Sequence, residues 1–211
     1  MPADPDGTPV RVNEVELTDG STFRASRFLV KGRKLVAELF PGPANVPAPA
    51  VELPLEAVFS VMRGAEDPKN RAAWKKLLAA RGKRDLYVSR EPAGLNFVQG
   101  TVLAGTPDGK ELEFEREDGT KTRLLLSRAN GGLVFAQLTP AQLPTTLCKV
   151  LDVFGNALAA RAVDLTPDGV AVTTVSGVVV KYPSAAALAK LDYGEGNVAY
   201  LSDLSPKVEA A

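Results

Sequence analysis

The densest charge in the chain lies between positions 69 and 84, where Lys69, Arg71, Lys75, Lys76, Arg81, Lys83 and Arg84 crowd one short stretch. Such a cluster can contact phosphate backbones or other anionic surfaces. The same residues also fit the solvated face of an amphipathic helix whose Trp74 side is buried. The 25 basic and 25 acidic side chains cancel to a formal net charge of zero, whereas a dedicated nucleic-acid binder carries a basic surplus. No exposed-looking aromatic residue lies among these bases to stack nucleobases. The solvated face is therefore the expected reading. Lys69, Arg71, Lys75, Lys76, Lys83 and Arg84 stay as candidate anionic-surface contacts, and nucleic acid is not the expected partner.

Other residue types narrow the chemistry further. The chain has no histidine, so a Ser-His-Asp or Cys-His nucleophile and a His-ligated metal are both excluded. Its single cysteine, Cys148, excludes a Cys-rich zinc site and an intramolecular disulfide. Cys148 stands at the start of a strand and reads as a buried structural thiol, with no histidine or clear helix N-terminus to activate it. Asp152, Asp164, Asp168, Asp192, Glu195 and Asp203 are calcium-type oxygen donors. Calcium sites often draw several such donors from one loop, and no D-x-D-x-D run occurs, so turn and cap roles are expected for them. Trp74, Tyr87, Tyr182, Tyr193 and Tyr200 are the rings a sugar platform would use, but packed amphipathic rings are the commoner case. No carboxylate pair stands out for glycoside hydrolysis, and Gly131-Gly132 is not part of a phosphate-cradling loop. The expectation is a non-enzyme with no cofactor and no metal.

The elements that would hold these residues are mostly strands. The 18 Gly and 16 Pro together exceed the usual share of about 12%, which implies many turns and few long helices. Asp-Gly occurs five times, twice inside the identical tetrapeptides Thr106-Pro107-Asp108-Gly109 and Thr166-Pro167-Asp168-Gly169. Proline presets the first central turn position, and glycine accepts the backbone that closes a hairpin. Apolar and polar residues alternate around both. Strands are expected at 22–30, 96–104 and 157–165, again at 51–55, 122–127 and 178–182, with closing strands at 58–61 and 133–136. Val30, Leu35, Phe59, Val102, Leu112, Phe114, Leu124, Phe135, Leu158, Val163, Val172 and Val180 are the expected core.

The common order of these elements reads as a mainly β fold of three tandem antiparallel units. Each is a small barrel or curled sheet similar in pattern to the SH3-like and Sm-like barrels. The division is 8–63 for the first unit, 64–84 for a helical connector and 85–137 for the second unit. A linker follows at 138–147, then the third unit at 148–193, then a C-terminal strand at 194–211 leading toward a following domain. The helix is expected over 68–81, with Asp67 as N-cap, Pro68 at its first position and Gly82 as C-cap. Residues 41–49, rich in Pro and Ala, read as a protruding loop or polyproline II segment.

The tail, Gly196-Asn197-Val198-Ala199-Tyr200-Leu201-Ser202-Asp203-Leu204-Ser205-Pro206, resembles the strand that opens the NPCBM/NEW2 domain. That domain is a carbohydrate-binding β-sandwich of exported proteins in planctomycete-type bacteria. The stretches Asp85 to Arg90, Gly100 to Leu103 and Leu191 to Tyr193 are similar to the region preceding it. The resemblance implies a non-catalytic interaction or spacer module of an extracellular or periplasmic protein, with cell-surface glycan or protein reached through the parent protein. No sugar-binding residue carries over, because the sandwich is absent from these residues. No run of 18 apolar residues exists, so no helical membrane span is expected. The first seven residues lack a signal-peptide pattern and read as a lead-in or the remnant left by a removed leader. The alternative function is a nucleic-acid or anionic-polymer binder using the basic helix.

Overall fold

The computed structural model describes residues 11–40, 50–137 and 145–193. These residues form fifteen strands of a single sheet and one α-helix. The expected loop at 41–49, most of the expected linker and the expected C-terminal strand lie outside the described residues.

The strands fall into three sets with one pairing scheme. The first set is β1 (Asn13–Leu17), β2 (Thr22–Lys31), β3 (Lys34–Leu39), β4 (Ala50–Pro54) and β5 (Val58–Arg63), with a 3-10 turn at Leu55–Ala57 before β5. All pairs are antiparallel: β1 bonds β2 and β5, while β3 bonds β2 and β4. The second set is β6 (Asp85–Glu91), β7 (Gly94–Gly105), β8 (Glu111–Arg116), β9 (Lys121–Leu125) and β10 (Gly132–Val134), with its 3-10 turn at Leu126–Arg128. The third is β11 (Cys148–Asp152), β12 (Ala157–Thr166), β13 (Gly169–Thr174), β14 (Val179–Tyr182) and β15 (Leu188–Asp192), with its turn at Ala185–Ala187. In each, the first strand pairs with the second and the fifth. Among the described residues no pairing joins the fourth strand to the fifth, so each set runs as an open path.

Local sequence explains the shape of these paths. Each long second strand carries a register shift, at Ala25/Arg27, Val102/Ala104 and Ala160/Ala162. A bulge of this kind bends a strand and increases its twist. The two identical tetrapeptides close their hairpins differently. In the first, Gly109 N–H donates to Thr106 O at 2.8 Å, and Thr106 Oγ1–H donates to Asp108 Oδ1 at 2.6 Å. In the second, Thr166 and Gly169 are themselves strand partners, leaving Pro167-Asp168 as a two-residue turn. The third closing strand, β15, was not expected. Leu188-Ala189-Lys190-Leu191-Asp192 lacks alternating large apolar residues, and its middle is exposed.

Most of the expected core is buried: Val30, Leu35, Val102, Leu112, Phe114, Phe135, Leu158, Val172 and Val180. Leu124 and Val163 pack only partly against it. Phe59 departs from expectation: it is half-buried beneath the Arg81 guanidinium, 4.2 Å from the ring centroid.

The helix α1 (Pro68–Ala79) starts as expected, with Asp67 Oδ1 accepting from Lys69 N–H at 2.8 Å. It ends two residues early. Ala80, in a right-handed conformation, is the C-cap, so Gly82 does not cap it. Trp74 and Leu77 bury their side chains with Met62 of β5, Leu86 and Val88 of β6, and Val134 of β10. The helix therefore seals the seam where the first and second sets join.

That seam is built from main chain. Strand β10 pairs with both β5 and β6, with Gly132 opposite Met62 and Val88. On the far side, Gly32 and Gly105 exchange N–H···O bonds of 3.0 and 2.8 Å. A Cβ on Gly105 would lie 1.9 Å from Val30 O, a contact only glycine avoids. The third set joins the first through Ala157 opposite Thr22. Three side chains reinforce this joint. Arg24 N–H donates to Asn156 Oδ1 at 2.7 Å, Ala159 N–H to Ser21 Oγ at 2.9 Å and Ser176 N–H to Asp19 Oδ2 at 2.6 Å.

Two outcomes follow from these joints. Gly105→Ala forces the two backbones apart and is expected to cost about 2 kcal/mol or more; a wild-type denaturation midpoint would show that the contact is not needed. Burial pushes the Asp19 carboxyl up, but the hydrogen bonds from Ser176 and Ser21 together outweigh it and hold the pKa below its ordinary 3.8. Asp19 therefore contributes stability that is complete above 3.8 and is lost as pH falls through the folded value. Asp19→Asn should lower stability near neutrality by about 1 kcal/mol. The gap from wild type should close as pH falls below 3.8, which urea titrations across that range would read.

Candidate functional site: an arginine-lined cleft

The six sequence candidates are all exposed, and they do not converge on a site. Arg71 is held in a two-point ion pair with Glu14, Nη1 and Nη2 lying 2.9 and 2.8 Å from its carboxylate. Arg84 Nε lies 3.5 Å from Glu117. Lys69, Lys75, Lys76 and Lys83 project to solvent with no ion pair among the described residues.

The other candidates are mostly structural. Trp74, Tyr87 and Tyr182 are buried, so these three rings do not form a surface platform for a sugar. Tyr87 O–H donates to Leu125 O at 2.7 Å and Tyr182 O–H to Asp152 Oδ2 at 2.8 Å. Tyr193 is 40% exposed, and Tyr200 lies outside the described residues. Asp152 is saturated: besides Tyr182, it accepts from Phe154 N–H, Asn156 N–H and Asn156 Nδ2. Burial with this carboxylate beside it raises the Tyr182 pKa far above its ordinary value. Asp164 and Asp168 are exposed, Lys190 Nζ donates to Asp192, and Glu195 and Asp203 lie outside the described residues. Among the described residues no group of three acidic or cysteine side chains is placed to hold a metal. Cys148 is buried, and burial pushes its thiol up against a weaker opposing bond from Tyr193.

A different set of residues does converge. Where β5 ends, Gly64 turns the chain with φ 68° and sends it through Glu66 and Asp67 into α1. The turn, the starts of β1 and α1, the middle of β2, the end of β6 and the segment after β9 enclose a cleft of about 450 Å³. Arg11, Arg63 and Arg90 line it, with the amides of Asn13, Asn70 and Asn130.

Two of these arginines are fixed before any ligand arrives. The Arg63 guanidinium lies over the Phe28 ring, 4.4 Å from its centroid, and Nη2 donates to Leu126 O at 3.3 Å. Its Nε is buried and finds no hydrogen-bond partner among the described residues. Burial lowers the Arg63 pKa from its ordinary value, against a smaller raising effect of Tyr87. Arg90 Nη2 donates to Arg63 O at 3.1 Å, and Nη1 donates to Asn70 Oδ1. Asn70 is anchored in turn, with Nδ2 donating to Gly64 O at 2.9 Å. Two acids also line the cleft, and both are engaged by main chain: Glu66 Oε2 accepts from Val12 N–H at 2.8 Å, and Asp67 caps α1.

Sequence reading missed this cleft because Arg63, Arg90 and Arg11 are distant in the chain and each sits singly in its segment. Only Arg63, ending the apolar run Val58 to Met62, carries a local sign: a charge at a position the strand pattern half-buries.

Comparison of the chain with protein-family models, with curated proteins and with solved structures returns no match.

A half-buried cation without a counter-charge costs free energy, and replacing it by an apolar side chain of similar reach removes that cost. Arg63→Met keeps contact with Phe28, and Leu126 O retains its bond from Ala129 N–H. This variant is expected to hold or raise the melting temperature; a drop of more than about 2 kcal/mol in stability would show that Arg63 is a structural strut. By contrast, a double-mutant cycle on the exposed Arg71–Glu14 pair should return about 0.2–1 kcal/mol.

Proposed function

We propose that the chain is a non-catalytic interaction and spacer module, built from three small SH3-like units and belonging to an exported protein that carries a carbohydrate-binding domain. The observation that carries this reading is the backbone pairing on both flanks of the first set, β5 with β10 and β2 with β12. Sets joined by strand pairing hold a fixed relative geometry, which is what a spacer needs, whereas flexible linkers do not. The thrice-repeated order of five strands with a 3-10 turn before the last supports the small-barrel description. The NPCBM/NEW2-like tail is the ground for the parent protein and for an extracellular or periplasmic setting. No helix among the described residues is long and apolar enough to cross a membrane.

The runner-up, a nucleic-acid or anionic-polymer binder, rests on the four lysines of the 69–84 stretch that form no ion pair among the described residues. It would show a steep loss of affinity with salt. The module reading predicts no shift of mixed RNA or DNA at moderate salt. Binding that disappears when Lys75, Lys76 and Arg84 are reversed in charge would overturn it. Solution scattering should give one rigid shape matching the structure. A broad distribution of shapes would remove the spacer role.

A further inference from the structure

We propose that the Arg63–Arg90 cleft is a binding site for a small hydroxylated oxyanion, a sugar acid or sugar phosphate. The proposal goes beyond the module reading and does not depend on it.

Three observations carry it. First, the cleft's volume of about 450 Å³ falls within the ~300–1,000 Å³ typical of small-molecule sites. Second, its three arginines outnumber the two lining acids, Glu66 and Asp67, whose carboxylates are turned to the main-chain N–H groups of Val12 and Lys69. Arg63 is desolvated and stacked on Phe28, and Arg90 is braced by Asn70 and Arg63 O; among the described residues neither forms an ion pair with a carboxylate. A bound oxyanion supplies the missing counter-charge through charge-assisted hydrogen bonds, the strongest class available to a guanidinium. Because both side chains are already held, little side-chain entropy is lost on binding.

Third, the remaining lining is suited to hydroxyls rather than to a second charge. Asn13 donates both of its amide hydrogens to carbonyls, to Ala25 O at 3.1 Å and Ser26 O at 2.8 Å, leaving its oxygen as an acceptor. Glu66 keeps Oε1 after Oε2 is taken by Val12 N–H, and the exposed Ser127 adds a hydroxyl at the rim. Acceptors of this kind repel a bare polyanion but bind a ligand that carries hydroxyls beside one anionic group. Phe28 is buried beneath Arg63 and does not line the cleft, so the ligand is gripped by hydrogen bonds and charge, not by ring stacking.

Calorimetry at low ionic strength on the full chain tests this with four probes: glucuronate, glucose 6-phosphate, glucose and inorganic phosphate. Saturable binding of glucuronate or glucose 6-phosphate is expected, and the acid that binds identifies a carboxylate or a phosphate as the anion. Arg63→Met should weaken that binding by about tenfold or more. Ser127→Glu, an exposed change that leaves the arginines in place, should weaken it similarly by opposing the anion. Lys181→Gln, in the third set, should leave it unchanged. The proposal is overturned if neither acid binds, or if binding survives both cleft variants. It is equally overturned if glucose binds as well as the acids, or if inorganic phosphate binds as tightly as the better acid.

Discussion

Strand β5 is the member on which the rest of the molecule depends. One edge bonds β1 and completes the first set; the other bonds β10 and begins the second. Its side chains divide between two cores, Val58 and Val61 joining the large one and Met62 the smaller one under α1. A strand hydrogen-bonded on both edges and covered on both faces cannot shift register without exposing one apolar set and burying polar groups in its place. Its last residue, Arg63, is thereby delivered to a fixed point at the mouth of the cleft. The positioning of the guanidinium is a by-product of sheet register, reinforced by Phe28 from β2.

The two joints of the first set differ in chemistry. Toward the second set the join is backbone pairing and apolar burial beneath Trp74, with cationic and amide side chains bonding carbonyls across it, Arg33 to Leu103 O, Arg63 to Leu126 O and Gln137 to Leu55 O. Toward the third, one strand pair is supplemented by Asp19, Ser21 and Asn156, side chains that bond the main chain of the neighbouring set. Asn156 is itself oriented by Asp152, which also fixes Tyr182. A buried, fully satisfied network of this kind is sensitive to geometry, because losing one partner strands the others. The pH-dependent part of the joints therefore lies in the second, through Asp19, whereas the polar bonds of the first are made by arginine and glutamine side chains.

The mainly β character, the starts of the long strands and the N-terminus of α1 were legible because each has a local cause. Alternation marks Leu112 and Phe114, Asp-Gly marks the turns, and Asp67-Pro68 marks the helix start. What was not legible depends on contacts between distant segments. β15 is specified by its pairing with β11 rather than by its own residues, so Leu188 to Asp192 gave no strand signal. Phe59 reads as core by type, but the surface that covers it is a long arginine from beyond the helix. The basic stretch was conspicuous because its residues are neighbours in sequence, yet structure spreads them over solvent and ties Arg71 to Glu14. The cleft has the opposite property: its arginines meet only after three segments have folded.

The strand that closes β5's outer edge arrives late. β10 lies downstream of α1 and of four further strands, so a chain emerging from its N-terminus first completes the inner pairing of β5 with β1 and must carry the other edge open. Exposed edges of this kind invite pairing with other chains, and partly made multi-unit proteins are most vulnerable at that stage. The helix is synthesised directly after β5, and its Trp74 face needs Met62 from that strand. Vectorial synthesis thus supplies a temporary cover for the apolar face before the hydrogen-bonding edge is satisfied, and the order of elements along the chain becomes part of how the sheet avoids premature association.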